Sequence, residues 1–230
     1  MGNFLALTSV IGKTKNEVVT SLTNYTNSVS GGLQQKNNID SDTDNCCIID
    51  EQNGNVSIFY PNGYLEWDDS SAFISKELNA TVFSFHIHDG DFWMYVLYQN
   101  GQIVDQFNPV PDYWDDNISD DEIASWKGNA DIIVQLIKGI KKSDIDRYLV
   151  KWDLENEEAE KAYTTDEFGQ EDWQLTDFMS KLNLPYPLDD NGNPKGLTFK
   201  LWTNQLKLIT TKTNNVTTET KSLKPWWRFW

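Results

Sequence analysis

The segment from Val82 to Phe107 leaves this chain few ways to fold. Three runs rich in β-branched and aromatic residues, Val82–His88, Phe92–Tyr98 and Gln102–Phe107, are separated by Asp89-Gly90 and Asn100-Gly101. Asp-Gly and Asn-Gly tolerate positive φ in a tight turn, so the spacing predicts an antiparallel meander. In the middle run Phe92, Met94 and Val96 alternate with Trp93, Tyr95 and Leu97. Successive side chains on a strand point to opposite faces. The middle strand is therefore expected to sit centrally and to be covered on both sides.

The flanking sequence extends this sheet. Residues 3–11 alternate loosely and predict a first strand. Thr14-Lys15-Asn16-Glu17 is a capping box for a helix carrying Val18, Leu22, Tyr25 and Val29 at helical spacing, with Gly31-Gly32 as its stop. Residues 34–45 are polar and predict a loop. Strands around Cys46–Asp50 and Val56–Tyr60 are joined by Asn53-Gly54, a turn at Asn62-Gly63 follows, and residues 70–79 predict a short helix. After Asn108-Pro109-Val110-Pro111 the signal becomes helical to about residue 185. Ser119-Asp120-Asp121-Glu122 is a second capping box, Ser143 is a further N-cap, Asp172 opens a last helix, and Pro185 and Pro187 end it. Leu197–Trp202 alternates as a strand, and Leu206–Thr211 is a weaker one. The fold class predicted is α+β: an antiparallel-rich sheet in the N-terminal half, a helical second half, and a C-terminal segment returning to the sheet. The parts expected are a strand-rich 1–111, an acidic helical 112–194, and a C-terminal strand with a basic-aromatic tail over 195–230, forming one compact unit.

Charge narrows the partners. The chain carries 35 acids and 19 bases in 230 residues. Residues 195–230 hold seven of the bases and one acid, which leaves 34 acids against 12 bases before them, a body of −22 and a tail of +6. Such a body repels nucleic acid and anionic membrane and attracts a basic protein surface. No apolar run approaches the roughly 20 residues that span a bilayer. Met1–Ile11 lacks the basic start of a secretion leader. With two adjacent cysteines, Cys46 and Cys47, poorly placed to bridge each other, the expectation is a reducing cytoplasm. Composition does not fix the oligomeric state.

Two clusters are candidates for function. His86-Ile87-His88-Asp89-Gly90-Asp91 contains both histidines of the chain. Residues two apart on a strand share a face, so His86 and His88, with Asp89 or Asp91, are a candidate divalent-metal site and the core of an alternative reading as a metal-dependent hydrolase. The same residues also read as ordinary hairpin chemistry at the end of a half-polar strand. The second cluster is Asp112, Tyr113, Trp114, Asp115 and Asp116, where two aromatics without an inward pattern sit in an acidic run; it is the candidate surface for a basic partner. The tail, with Trp226, Trp227, Phe229 and Trp230, is expected to pack on the acidic body. Phosphate loops, dinucleotide fingerprints, zinc-finger spacing, Gly-x-Ser-x-Gly elbows and His-Glu-x-x-His helices are absent. No resident cofactor is expected outside the histidine cluster. In composition alone the chain is similar to small acidic intracellular bacterial proteins, toxin-neutralising immunity proteins among them. The function expected is non-catalytic binding of a basic protein.

Overall fold

A computed structural model describes residues 4–36, 45–90, 92–115, 117–153, 155–156, 161–163 and 173–206. The first strand, β1 (Leu5–Val10), leads into α1 (Lys15–Ser28). Both halves of the capping box form: the Thr14 hydroxyl accepts the Glu17 amide, and Glu17 accepts the Thr14 amide at 2.9 Å. Then come β2 (Gly32–Gln35), β3 (Cys47–Gln52), β4 (Asn55–Phe59), α2 (Trp67–Leu78) and the meander β5 (Thr81–His88), β6 (Phe92–Gln99) and β7 (Gln102–Phe107). Among the described residues four α-helices follow, α3 (Asp120–Ser125), α4 (Ala130–Leu136), α5 (Lys142–Ile145, continued by a 3-10 turn over Asp146–Tyr148) and α6 (Trp173–Lys181), and then β8 (Leu197–Trp202). The eight strands form one sheet in the order β2-β8-β3-β4-β1-β5-β6-β7, with every pairing antiparallel.

The two faces of the sheet bury two different cores. Leu5, Leu7, Ile48, Phe83, Phe85, Ile87, Trp93 and Tyr95 pack with Ile133, Ile145, Tyr148, Leu175 and Phe178 from the helical second half. Ala6, Val10, Ile49, Val56, Ile58 and Val82 pack with Val18, Leu22 and Tyr25 of α1 and Ile74 of α2. The adjacent cysteines divide between these cores, Cys46 in the first and Cys47 in the second, and both are buried and free. Strand alternation accounts for this split.

The meander forms as expected. Its turns take the left-handed backbone that Asp-Gly and Asn-Gly permit, with φ of 53° and 80° at Asp89 and Gly90 and 52° and 76° at Asn100 and Gly101. Phe92 through Tyr98 are all buried, so both faces of β6 are covered. In the sheet order β6 lies next to the edge strand β7, and β4 and β1 hold the middle. Coverage by helices on both sides, more than centrality, explains its doubly apolar pattern.

Three local expectations are corrected. Gly32 opens a strand inside the stretch expected to be helix stop and loop, and it lies opposite Trp202 of β8. A Cβ on Gly31 or Gly32 would collide with the Trp202 backbone or ring, so these glycines permit a close strand approach. Ser143 lies inside α5, whose N-cap is Lys141. Leu206, expected to begin a weak strand, ends a helical turn over residues 204–206. Residues 207–211, Asp172 and the aromatic tail lie outside the described residues. Among the described residues no helix is long and apolar enough to cross a membrane.

Candidate functional site

The two clusters singled out in the sequence meet at one end of the β5–β6 hairpin. β5 exposes one polar row, Ser84, His86 and His88, to the α1–α2 side of the sheet, because these residues sit two apart on a buried strand. They pair across β6 with Val96, Met94 and Phe92. His86 lies flat on Trp67, the first residue of α2, with ring centroids 4.7 Å apart and planes 1° from parallel. His88 is boxed by aromatic rings: Phe4 at 5.1 Å, Phe92 at 5.5 Å, Tyr113 at 5.5 Å and Trp114 at 4.9 Å.

Backbone bonds pin the 108–115 segment over this end of the sheet. Asn108 donates its amide to the Trp126 carbonyl at 2.8 Å, and its side-chain oxygen accepts the Val110 amide at 2.9 Å. The Trp152 amide donates to the Pro109 carbonyl at 2.9 Å, and the Tyr113 amide closes a turn onto the Val110 carbonyl at 3.1 Å. Lys151 pairs with Asp112 at 2.8 Å, which holds that carboxyl below its usual range. Asp115 accepts the amide and side chain of Asn117, and these bonds likewise lower its pKa. Tyr113 stays 39% exposed and Phe4 40% exposed, so aromatic surface remains on the rim.

Beneath this rim is a small cavity of about 20 Å³. Trp67, Trp114, Trp126 and Met94 bound it, and Asp68, Ser84 and His86 supply its polar lining. Ser84 is 3% exposed and His86 7% exposed. Neither the Ser84 hydroxyl nor either ring nitrogen of His86 has a partner in hydrogen-bond geometry. Burial, helped by nearby His88, pushes the His86 pKa down to about 3; the adjoining Leu5 backbone favours the charged ring but does not offset this. His86 is therefore a neutral imidazole at physiological pH.

Deeper under α2 a group of hydroxyls on the same face is satisfied. Thr8, directly opposite Ser84, lies 2.9 Å from the Tyr60 hydroxyl and 2.6 Å from the Ser71 hydroxyl, and Tyr60 is 2.8 Å from Ser70. Buried polar atoms are nearly always hydrogen-bonded, so three unpartnered atoms around one cavity mark a place built for something polar.

Of the residues chosen from the sequence, His86, His88, Tyr113 and Trp114 come together here. Asp112 and Asp115 stand on the rim, and Asp89 forms the hairpin turn. Asp91 and Asp116 lie outside the described residues. The two imidazoles share a face, with centroids 6.3 Å apart. Among the described residues no group of three His, Cys, Asp or Glu gathers as a metal site. Sequence reading missed Trp67, Asp68, Ser84 and Trp126 as site residues. The signal that could have found Ser84 is the period-two polar row Ser84, His86 and His88 on an otherwise apolar strand. No protein-family model, curated protein or solved structure matches the chain.

Proposed function

We propose that this chain is a non-catalytic binding protein that holds a basic protein partner against the acidic, aromatic rim formed by Asp112, Tyr113, Trp114 and Asp115. The observation that carries the reading is the convergence of that rim with the partly polar cavity, on a chain whose formal charge is −16. Aromatic residues supply contact area at low entropic cost. Surrounding carboxylates steer a cationic surface toward them and set the salt dependence of the encounter. The pinned segment is preorganised, so binding need not order it.

Capture with immobilised full-length chain from a lysate of its native source tests the reading. Basic proteins are expected to bind and to elute as salt rises, and Asp112→Lys with Asp115→Lys is expected to suppress them. Captured proteins that are acidic or neutral, or capture indifferent to both salt and charge reversal, would overturn it.

The second reading, a metal-dependent hydrolase, draws on the imidazoles of His86 and His88 sharing one strand face. Asp89 or Asp91 would then have to complete the ligand set with oxygen. Elemental analysis of protein purified without added metal decides between the two: stoichiometric zinc, manganese or iron favours the hydrolase.

A further inference from the structure

Resting on the reading of the protein as a holder of a basic partner, we propose that the cavity bounded by Trp67, Trp114 and Trp126 receives the ammonium head of a lysine side chain from that partner. Size is the first argument. A volume of about 20 Å³ admits roughly one water-sized group. An ammonium head is of that size, whereas a guanidinium or a trimethylated ammonium is too large.

The lining chemistry is the second argument. Indole rings attract cations through their π faces. An ammonium donates three hydrogen bonds and accepts none. The Ser84 hydroxyl and one ring nitrogen of His86 offer buried acceptors that make no hydrogen bond of good geometry, and Asp68 is among the lining residues. Among the described residues no Lys or Arg lines the cavity. An anion would find no charge to pair with, and an apolar group would leave His86 and Ser84 unsatisfied, a costly outcome in a buried site.

The test uses the full chain and n-butylammonium chloride at constant ionic strength, followed by NMR. Only two histidines are present, so the His86 ring signals can be assigned with a His88 variant. A saturable shift of the His86 ring is expected, with n-butanol and tetramethylammonium binding at least about tenfold more weakly. Trp114→Ala is expected to weaken butylammonium binding about tenfold. Because that change could loosen the rim, His86→Phe, read through the Trp126 indole signal, provides an independent variant with the same expected loss. Absence of a saturable shift, or equal binding of butanol, means the cavity holds water alone and overturns the proposal.

A lysine-glycine peptide and its fully acetylated copy link the cavity to the partner. The unmodified peptide is expected to move the His86 signals, and the acetylated one to leave them still. If the unmodified peptide binds in a salt-dependent way without moving them, the cavity proposal falls and the basic-partner reading stands. If neither peptide binds while butylammonium still saturates the cavity, the basic-partner reading fails, and with it the assignment to a partner's lysine.

Discussion

The β5–β6 hairpin has two faces that obey opposite rules. On the face turned toward the helical second half, Phe83, Phe85, Trp93 and Tyr95 interlock with Phe107 and Phe178 at ring-centroid distances of 4.9–6.4 Å. The hairpin's own polar side-chain atoms on this face are paired: the Trp93 indole donates to Gln174 at 2.7 Å, and the Tyr95 hydroxyl donates to Asp105 at 2.7 Å. On the other face, beside α2, Ser84 and His86 leave buried polar atoms without partners around a cavity. The same backbone, one residue out of step, thus carries a finished core on one side and an unfinished one on the other. Ser21 and Tyr64 also bury hydroxyls that make no hydrogen bond of good geometry, so what sets this face of the hairpin apart is the grouping of Ser84 and His86 around one cavity.

The comparison can be broken by mutation. Replacing Trp93, 3% exposed, with Ala removes a ring packed against Phe107 and Phe178 and a hydrogen bond to Gln174, and is expected to cost about 3–5 kcal/mol in a denaturant series. A loss below about 1 kcal/mol would show that this face is not a finished core. Asp177 braces the same helical layer. It accepts the hydroxyls of Tyr148 and Tyr163, both at 2.6 Å, and pairs with Lys181 at 3.0 Å. Burial pulls its pKa upward, but those bonds together prevail and hold it down to about 2. Asp177→Asn is expected to destabilise by about 1–2 kcal/mol, with Arg147 still stacked on Tyr163. An unchanged unfolding midpoint would show that the brace is ornamental.

The unfinished face makes smaller, differently signed predictions. His86 has a folded pKa of about 3, against about 6.5 for a free histidine. Between those values the unfolded chain binds a proton that the folded chain does not. His86 therefore favours folding fully above about pH 6.5 and progressively less as pH falls toward 3. In unfolding measured between pH 7 and 4.5, the wild type is expected to lose stability more steeply than His86→Phe. Parallel slopes would mean that the ring is hydrated and not held neutral. The smallest effect is expected at Ser84. Removing an unpartnered hydroxyl with Ser84→Ala should leave stability within about 0.5 kcal/mol of the wild type or raise it slightly. A loss above about 1 kcal/mol would show that the hydroxyl has a partner in solution, such as a bound water.

Much of the fold was legible in the chain itself, because its signals are local. The two Asx-Gly turns of the meander, the Thr14–Glu17 capping box, and the inward row Leu175, Phe178 and Met179 of α6 with Leu182 just past its end follow from backbone preference and periodicity within a few residues. The doubly apolar β6 also required cover on both faces. Other features depend on partners far away in the chain. Locally, Gly32 reads as part of a helix stop and Gln34-Gln35 as the start of a loop, with no strand signal; these residues become β2 by pairing with β8, whose Trp202 needs the missing Cβ of Gly32. β8 itself lies between β2 and β3, one strand in from the edge, an order that no local pattern encodes.

The candidate site divides along the same line. The sequence by itself determined that His86 and His88 share a strand face and that Tyr113-Trp114 stand in an acidic run, since alternation and composition are properties of the chain. Only the tertiary structure decided that these segments meet, with Trp67 flat against His86 and Trp114 over the same cavity. Strand β5, the start of α2 and the 108–115 segment converge through sheet pairing and helix packing over long sequence separations, and side chains acquire partners, or lack them, only when such packing places them side by side.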